Sequence, residues 1–198
     1  MKNKTVLHIA ASIILIAVGI LIPLSSPLKV IIEPASFTLA SHVVIFIAMF
    51  ISPVTAGVVA AGTTIGFFLG GFPLIVVVRA ATHILFGVMG AIYIKDGGQA
   101  RVSPIQMRYF SLCIALFHAL SELVVVSSFY FGGYVGDVFY QKGFMTSVLL
   151  LVGLGSVIHS LVDFEIALLV MLALRISRQK ITKTTSLRFS HPVYRPQG

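Results

Sequence analysis

The apolar run over residues 74–95 constrains this chain more than any other segment, because it is long enough to cross a bilayer and yet contains an arginine. A charged side chain at the centre of a membrane helix costs about 2.5–3.5 kcal/mol on insertion scales. Chains tolerate that cost where the charge faces a protein interior or a watery cavity, usually with an anion nearby. Arg79 and His83 are one helical turn apart and share a face. The run therefore predicts a membrane helix whose polar face binds an anionic substrate.

The composition sets the class of protein. Of the 198 residues, 58% are hydrophobic and only 10% are charged. A soluble domain of this size needs more polar side chains to cover its surface. The single cysteine excludes a disulfide framework and a multi-cysteine metal site. We therefore expect one integral membrane domain.

Six apolar runs approach the roughly 20 residues that a bilayer requires. The first run is longer than the apolar part of a signal peptide and lacks a small-x-small cleavage pattern, so we expect a retained helix. The sequence predicts an all-α protein with six transmembrane helices in a domain over residues 1–180, followed by a basic cytoplasmic tail over residues 181–198. A loop is predicted over residues 132–144. The predicted spans cover residues 5–24, 37–51, 54–69, 74–95, 107–131 and 145–174.

The lysines and arginines of the connections predict the orientation. With the N-terminus inside the cell, eleven basic residues lie on the cytoplasmic side and only Lys29 and Lys142 on the other. We therefore expect a multi-pass protein of the plasma membrane with both termini in the cytoplasm. The net charge of +8 follows from this distribution and predicts no nucleic-acid partner. The eleven are Lys2, Lys4, Lys95, Arg101, Arg108, Arg175, Arg178, Lys180, Lys183, Arg188 and Arg195.

Five polar residues on three predicted helices fall into one external layer. At about 1.5 Å per helical residue, His42, Arg79 and Glu122 lie in the outer half of the membrane, and His83 and His118 lie one turn deeper. Arg79 and Glu122 alone would form a structural ion pair, with the histidines satisfying helix kinks. One acid cannot occupy an arginine and three imidazoles, however, and a bound carboxylate would complete the set. We therefore expect all five residues to contribute to a substrate site.

A metal site is an alternative use of the same layer. His118 and Glu122 are four residues apart, and imidazole suits zinc or nickel. An arginine in the layer repels a cation, so we expect no metal and no other cofactor. Asp163 and Glu165 are two residues apart, cannot share a helix face and are predicted to lie in the inner half. We expect them to contact a partner or a neighbouring helix.

The link over residues 25–36 carries a short β-type run between two prolines. Its apolar side chains, Val30, Ile31 and Ile32, are costly to leave in water. We expect them to pack over the external ends of the helices as a lid on the polar layer.

Motifs for catalysis are absent from the sequence. It contains no H-E-x-x-H, no G-x-S-x-G and no phosphate-binding G-x-x-x-x-G-K-[ST], so it is not expected to be an enzyme or to hydrolyse ATP. An intramembrane enzyme is the least favoured alternative. A self-sufficient secondary transporter or channel for a small anion or protons is the stronger one, with Glu122, His118 and Asp163 relaying protons.

The segments ASFTLASHVVIFIAMFISP, GTTIGF and GFPLIVVVRAATH lie within residues 34–83. They resemble the substrate-binding S components of energy-coupling factor (ECF) vitamin transporters, which are small six-helix proteins without an ATPase signature. The niacin type is the best match and the pantothenate type the next. The resemblance extends over nearly all of residues 5–175.

This resemblance implies a mechanism and partners. The protein would capture a carboxylated vitamin at the external face, associate with a membrane coupling subunit and two cytoplasmic ATPase subunits, and topple to release its substrate inside. Members of the family often dock on the coupling subunit through an Ala-x-x-x-Ala motif in the first helix. This motif is absent from the first helix of this chain. Ala10 and Ala17 are seven apart on nearly one face. We expect them, with Ala56 and Ala60 of the third helix, to form the partner interface.

Overall fold

In a computed structural model, the protein is a bundle of apolar helices with one small β-hairpin. The structure describes residues 2–32, 35–96 and 103–189, and side chains within 5–28, 37–96, 103, and 105–175. The elements are α1 (Lys2–Ser25), β1 (Lys29–Ile32), β2 (Ala35–Thr38), α2 (Val43–Met49), α3 (Pro53–Leu69), α4 (Leu74–Asp96), α5 (Pro104–Phe131), α6 (Asp137–Phe144), a π-helical segment (Met145–Leu154) and α7 (Gly155–Phe189).

Four apolar helical stretches in the described part of the chain are long enough to cross a membrane: Thr5–Ser25, Leu74–Asp96, Ile105–Phe131 and Asp137–Arg175. Helix α3 is equally apolar but has only 17 residues. Large apolar side chains also cover the outward faces, as at Ile13, Leu116 and Leu169. Because such surfaces are stable in lipid rather than water, the fold indicates a multi-pass membrane protein.

The structure corrects the predicted second span over residues 37–51. Only Val43–Met49 is α-helical, and Phe37 and Thr38 belong to strand β2. The β-type run that was predicted over Lys29–Ile32 is confirmed as β1, which pairs antiparallel with β2 so that Val30 lies opposite Phe37. Pairing between the two strands satisfies backbone groups that the proline-flanked link cannot place in a helix.

Two further boundaries differ from the predictions. The predicted loop over residues 132–144 contains helix α6, which begins after Gly136 and carries Asp137 in its first turn. Helix α7 continues beyond the predicted end at residue 174 to Phe189, so half of the predicted tail is helical. Residues 190–198 of that tail lie outside the described part of the chain.

Small residues bring α1 and α3 together. A Cβ atom at Gly62 would lie 2.5 Å from Cδ1 of Ile16, and Gly66 is in equally close contact with Ile20. Such small-residue faces allow close packing of membrane helices, where burial of apolar surface from water does not drive association. The small residues of α3 therefore serve close packing against α1 of the same chain.

Helix α2 lies at the centre of the bundle and contacts α1, α3, α4 and α7. The side chain of Phe46 on α2 is fully buried between two other aromatic rings. Its ring centroid lies 5.6 Å from that of Phe86 on α4 and 5.1 Å from that of Phe164 on α7. This apolar core fixes the N-terminal end of α2, where His42 precedes the first helical residue.

Candidate binding site

The structure brings the five polar residues of the predicted layer together. Three of them, His42, His83 and His118, are buried, and their rings form a triangle with centroid distances of 4.5, 4.7 and 5.0 Å. Arg79 and Glu122 adjoin this triangle, so residues from α4, α5 and the start of α2 converge on one point.

Arg79 and Glu122 form a bidentate ion pair. Nε of Arg79 donates to Oε1 of Glu122 at 3.1 Å, and Nη2 donates to Oε2 at 2.9 Å. The hydroxyl of Ser156 on α7 also donates to Oε2. Glu122 is only 3% exposed, so this carboxylate is held between α4, α5 and α7. The structural pair that the sequence left open is therefore formed.

The pair leaves part of the Arg79 guanidinium unused. A guanidinium has five N–H donors, and Glu122 accepts two of them through Nε and Nη2. Nη1 has no hydrogen-bond partner among the residues that the structure describes. Nη1 and the second hydrogen of Nη2 form an edge that matches a carboxylate. Arg79 can therefore hold Glu122 on one edge and a second carboxylate on the other.

His83 and His118 lie beside the same carboxylate. Their Nε2 atoms are 3.6 Å and 3.4 Å from Oε1 of Glu122. His118 is fully buried, yet within the described residues neither of its ring nitrogens has a partner with hydrogen-bond geometry. A buried polar group without a partner is uncommon and marks a position where structure alone does not account for the residue.

Asp163 of α7 fixes the turn that leads into α2. Its Oδ1 accepts the backbone N–H of Ala40 and its Oδ2 that of His42, both at 2.8 Å. Ala40 has a φ of 68°, a left-handed conformation that costs an alanine about 1–2 kcal/mol. Nδ1 of His42 and Nε2 of His159 lie 3.3 and 3.4 Å from Oδ2. The carboxylate therefore stabilises both a strained turn and the orientation of His42.

This placement corrects the predicted depth of Asp163, which belongs to the same layer as His42 rather than to the inner half. A depth that is counted along one helix does not include how α7 packs against the turn before α2. The expected tie to a neighbouring helix is confirmed for Asp163. Glu165 is exposed on another side of α7, so the two acids indeed do not share a face.

A cavity of about 280 Å³ opens above the polar layer. Arg79, His83 and Glu122 line its polar side, and Phe37, Phe67 and Phe72 line its apolar side. The lining therefore offers a small ligand both a guanidinium group and aromatic rings.

Two larger cavities, of about 540 and 630 Å³, lie elsewhere along α1 and α3 and at the end of α2. Arginine and carboxylate side chains do not line either of them. Lys95 lines the second of them, but neither cavity offers the planar two-donor edge that an arginine presents to a carboxylate.

Sequence reasoning missed several residues of the site, among them His159 and Ser156. His159 lines the cavity, and its Nε2 lies 3.1 Å from the hydroxyl of Ser41. Its spacing of four residues from Asp163, the same as that of His118 from Glu122, was a signal that could have identified it. Ser156 gave no signal, because a serine in an apolar helix usually bonds to its own backbone.

The residues that were predicted to form a lid can be placed only in part. The side chains of Val30, Ile31 and Ile32 lie outside the described residues, although Phe37 and Thr38 of the adjacent strand line the cavity. Ala10 and Ala17, which were predicted to contact a partner, are exposed on α1.

Ala56 and Ala60 are fully buried in the core, which corrects their assignment to a partner interface. The small-residue face of α3 meets helices of the same chain, because close helix contacts need small residues wherever they occur.

Comparison with known proteins identifies the family of the chain. It is 37% identical over 167 residues, 84% of its length, to a protein named Niacin transporter NiaX from Lactococcus lactis subsp. cremoris (strain MG1363), and the match covers 74% of that relative. No protein-family model and no solved structure matches the chain. Because the identity extends over most of both proteins, this chain belongs to the family of the niacin transporter NiaX.

Proposed function

We propose that this protein is the substrate-specific component of an ECF-type transporter, which captures niacin at the external face for ATP-driven uptake. The observation that carries the proposal is the unused carboxylate-binding edge of Arg79 in the wall of a cavity of about 280 Å³. The name of the relative, a niacin transporter, supports the same substrate.

The cavity favours niacin over pantothenate. Small-molecule sites usually measure about 300–1,000 Å³, so this one suits a ligand at the lower end of the range. Niacin is a flat aromatic acid, whereas pantothenate is longer and flexible. Phe37 and Phe72 provide aromatic surface for a flat ring, and offset or edge contacts between rings are favourable.

Each residue of the layer has a proposed role. Arg79 binds the substrate carboxylate, and Glu122 holds the guanidinium in position through its other edge. His83 and His118 pack behind this pair, and His42 lies at the base of the cavity beside His83. Val30, Ile31 and Ile32 of the hairpin close the site from outside as a lid. The substrate ring lies between this lid and the polar layer, where exclusion of water strengthens the ionic contact.

The proposed transport requires partners. The sequence has no phosphate-binding loop, so a coupling subunit and two ATPase subunits supply the energy. Both termini lie in the cytoplasm in this arrangement, as the distribution of basic residues favours. Ala10 and Ala17 on the exposed face of α1 form the surface for the coupling subunit.

Binding of niacin to the purified protein tests the proposal. The full chain is purified in detergent, and mass spectrometry identifies any small molecule that copurifies with it. Labelled niacin is then titrated against wild-type and Arg79→Ala protein. We expect saturable binding by the wild type and a large loss in the variant. Equal binding by both proteins would refute the role of Arg79, and binding of pantothenate alone would refute the substrate.

A second function is favoured by one specific observation. Asp163, His42, His83 and Glu122 lie in a row with successive separations of 3.3, 3.2 and 3.6 Å, and ionisable groups in a row at membrane depth are typical of a proton pathway in a self-sufficient carrier. Reconstitution of the chain alone in liposomes separates the two functions. Niacin accumulation that is driven by a proton gradient would favour the carrier, and accumulation only with an ATPase module would favour the S component.

A further inference from the structure

We propose that His42, His83, His118 and Glu122 form a binding site for a divalent transition-metal ion of the zinc class at the base of the cavity. The site lies below the position assigned to the substrate carboxylate. Its existence does not depend on the proposed function, although the charge argument below rests on it.

Three of the six separations among the four proposed ligand atoms are close to the edge lengths of a tetrahedral metal site. Nε2 of His42 is 3.2 Å from Nε2 of His83, and Oε1 of Glu122 is 3.6 Å from Nε2 of His83 and 3.4 Å from Nε2 of His118. Zinc lies about 2.0–2.2 Å from such ligands, so neighbouring ligand atoms of a tetrahedron are about 3.3–3.6 Å apart. One nitrogen from each of the three histidines lies within 4.8 Å of the others.

The unpartnered state of His118 is an independent observation. This imidazole is fully buried, and although its Nε2 lies 3.4 Å from Oε1 of Glu122, neither of its nitrogens has a partner with hydrogen-bond geometry within the described residues. A hydrogen bond between His42 and His83 would explain their short contact without an ion, but it would leave His118 unexplained. A metal ion at the centre of the triangle gives His118 the partner that its burial requires.

Asp163 adds the outer support that metal-binding histidines usually have. Nδ1 of His42 lies 3.3 Å from Oδ2 of Asp163, which leaves Nε2 of the same ring facing the other imidazoles. A carboxylate in this position fixes the tautomer and the orientation of a ligating histidine. Asp163 is itself held by two backbone N–H groups, so the orientation is rigid.

The charges of the layer reverse the expectation that Arg79 excludes a cation. Arg79 is paired with Glu122, and Asp163 adds a second carboxylate with no further arginine or lysine in the layer among the described residues. With neutral histidines the layer carries one net negative charge, and a bound niacin carboxylate would raise this to two. A divalent cation would compensate both negative charges.

Metal titration of the substrate-free protein tests this inference. Full-length protein without an affinity tag is stripped with a chelator and equilibrated with Zn²⁺, and bound metal is measured by mass spectrometry. We expect about one zinc ion per chain. His118→Gln is expected to weaken zinc affinity by about tenfold or more. His8→Gln, which removes an exposed histidine of α1, serves as the matched control and is expected to bind zinc as the wild type does.

Co²⁺ provides a second measurement that requires no variant. A tetrahedral site with imidazole ligands gives Co²⁺ an intense visible absorption, which added Zn²⁺ should abolish. Absence of stoichiometric Zn²⁺ and Co²⁺ binding by the wild type would overturn the inference, as would equal zinc affinity in a folded His118→Gln protein. Niacin binding without metal uptake would refute the metal site alone, and zinc binding without niacin binding would refute the proposed function alone.

Discussion

Arg79 and Glu122 are joined by two parallel hydrogen bonds, Nε to Oε1 at 3.1 Å and Nη2 to Oε2 at 2.9 Å. This pair links α4 to α5 inside the bundle, where Glu122 is almost fully buried. The sequence presented a structural ion pair and a substrate site as competing interpretations. The geometry makes them compatible, because the ion pair occupies one edge of the guanidinium and leaves the other edge available for a second carboxylate.

Glu122→Gln is predicted to destabilise the protein. Removal of one partner of a buried ion pair leaves the other charge without compensation and typically costs about 3–5 kcal/mol. Thermal unfolding in detergent should show a clearly lower melting temperature. Glu165→Gln is the matched control, because this acid is exposed on α7, and its effect should stay within about 0.5 kcal/mol. Equal melting temperatures for the two variants would contradict the importance of the pair.

Arg79→Lys is predicted to weaken niacin binding by about 30-fold or more, since loss of a buried charge-assisted contact costs about 2–5 kcal/mol. An ammonium group cannot bind two carboxylates through separate planar edges. Isothermal titration with niacin measures the change, and Arg108→Lys at an exposed position of α5 is the control. A folded Arg79→Lys protein with wild-type affinity would show that the substrate carboxylate binds elsewhere.

Asp163→Ala is predicted to loosen the entry to α2. The substitution removes the acceptor of two backbone N–H groups, and each buried donor left without a partner costs about 1–3 kcal/mol. Asp163→Asn retains one acceptor oxygen, so its stability should lie between that of Asp163→Ala and that of the wild type. Thermal unfolding tests this order, and Glu165→Ala controls for loss of an acid from α7. If both substitutions lowered the melting temperature only slightly and equally, the turn at Ala40 would not depend on Asp163.

Gly62→Ala is predicted to disturb the contact between α1 and α3. The added Cβ would lie 2.5 Å from Cδ1 of Ile16, so the isoleucine must move at a cost of about 1–3 kcal/mol. Gly136→Ala, where a Cβ meets no atom within 4 Å, is the matched control. The double variant Gly62→Ala/Ile16→Ala should cost less than the sum of its parts, because the smaller side chain relieves the clash. Strict additivity would argue against a direct contact.

Replacement of Val30, Ile31 and Ile32 by serine is predicted to accelerate niacin release. If the hairpin is a lid, loss of its apolar surface should raise the dissociation rate far more than it lowers the association rate, since affinity differences within one site mostly appear in the off-rate. Stopped-flow measurements with wild-type and variant protein give both rates. If neither rate changes, the hairpin is only a connector.

The sequence by itself determined the class of the protein and five members of its polar layer, although not Asp163, His159 or Ser156. Long apolar runs can be stable only in lipid, and every polar residue within them must have a partner, so Arg79, His83, His118 and Glu122 could be selected one by one. Spacing of four residues identified the pairs that share a helix face, because that relation is set within a single helix.

Only the tertiary structure decided how these residues are used. The pairing of Glu122 with one edge of Arg79 depends on how α4 and α5 pack, which no local pattern encodes. The level of Asp163 depends on how α7 packs against the turn before α2, which counting residues along one helix does not capture. The burial of Ala56 and Ala60 was equally undetermined, since a small-residue face suits a partner subunit and a neighbouring helix alike. Contacts within a helix follow from its period, whereas contacts between helices follow from the packing of the whole bundle.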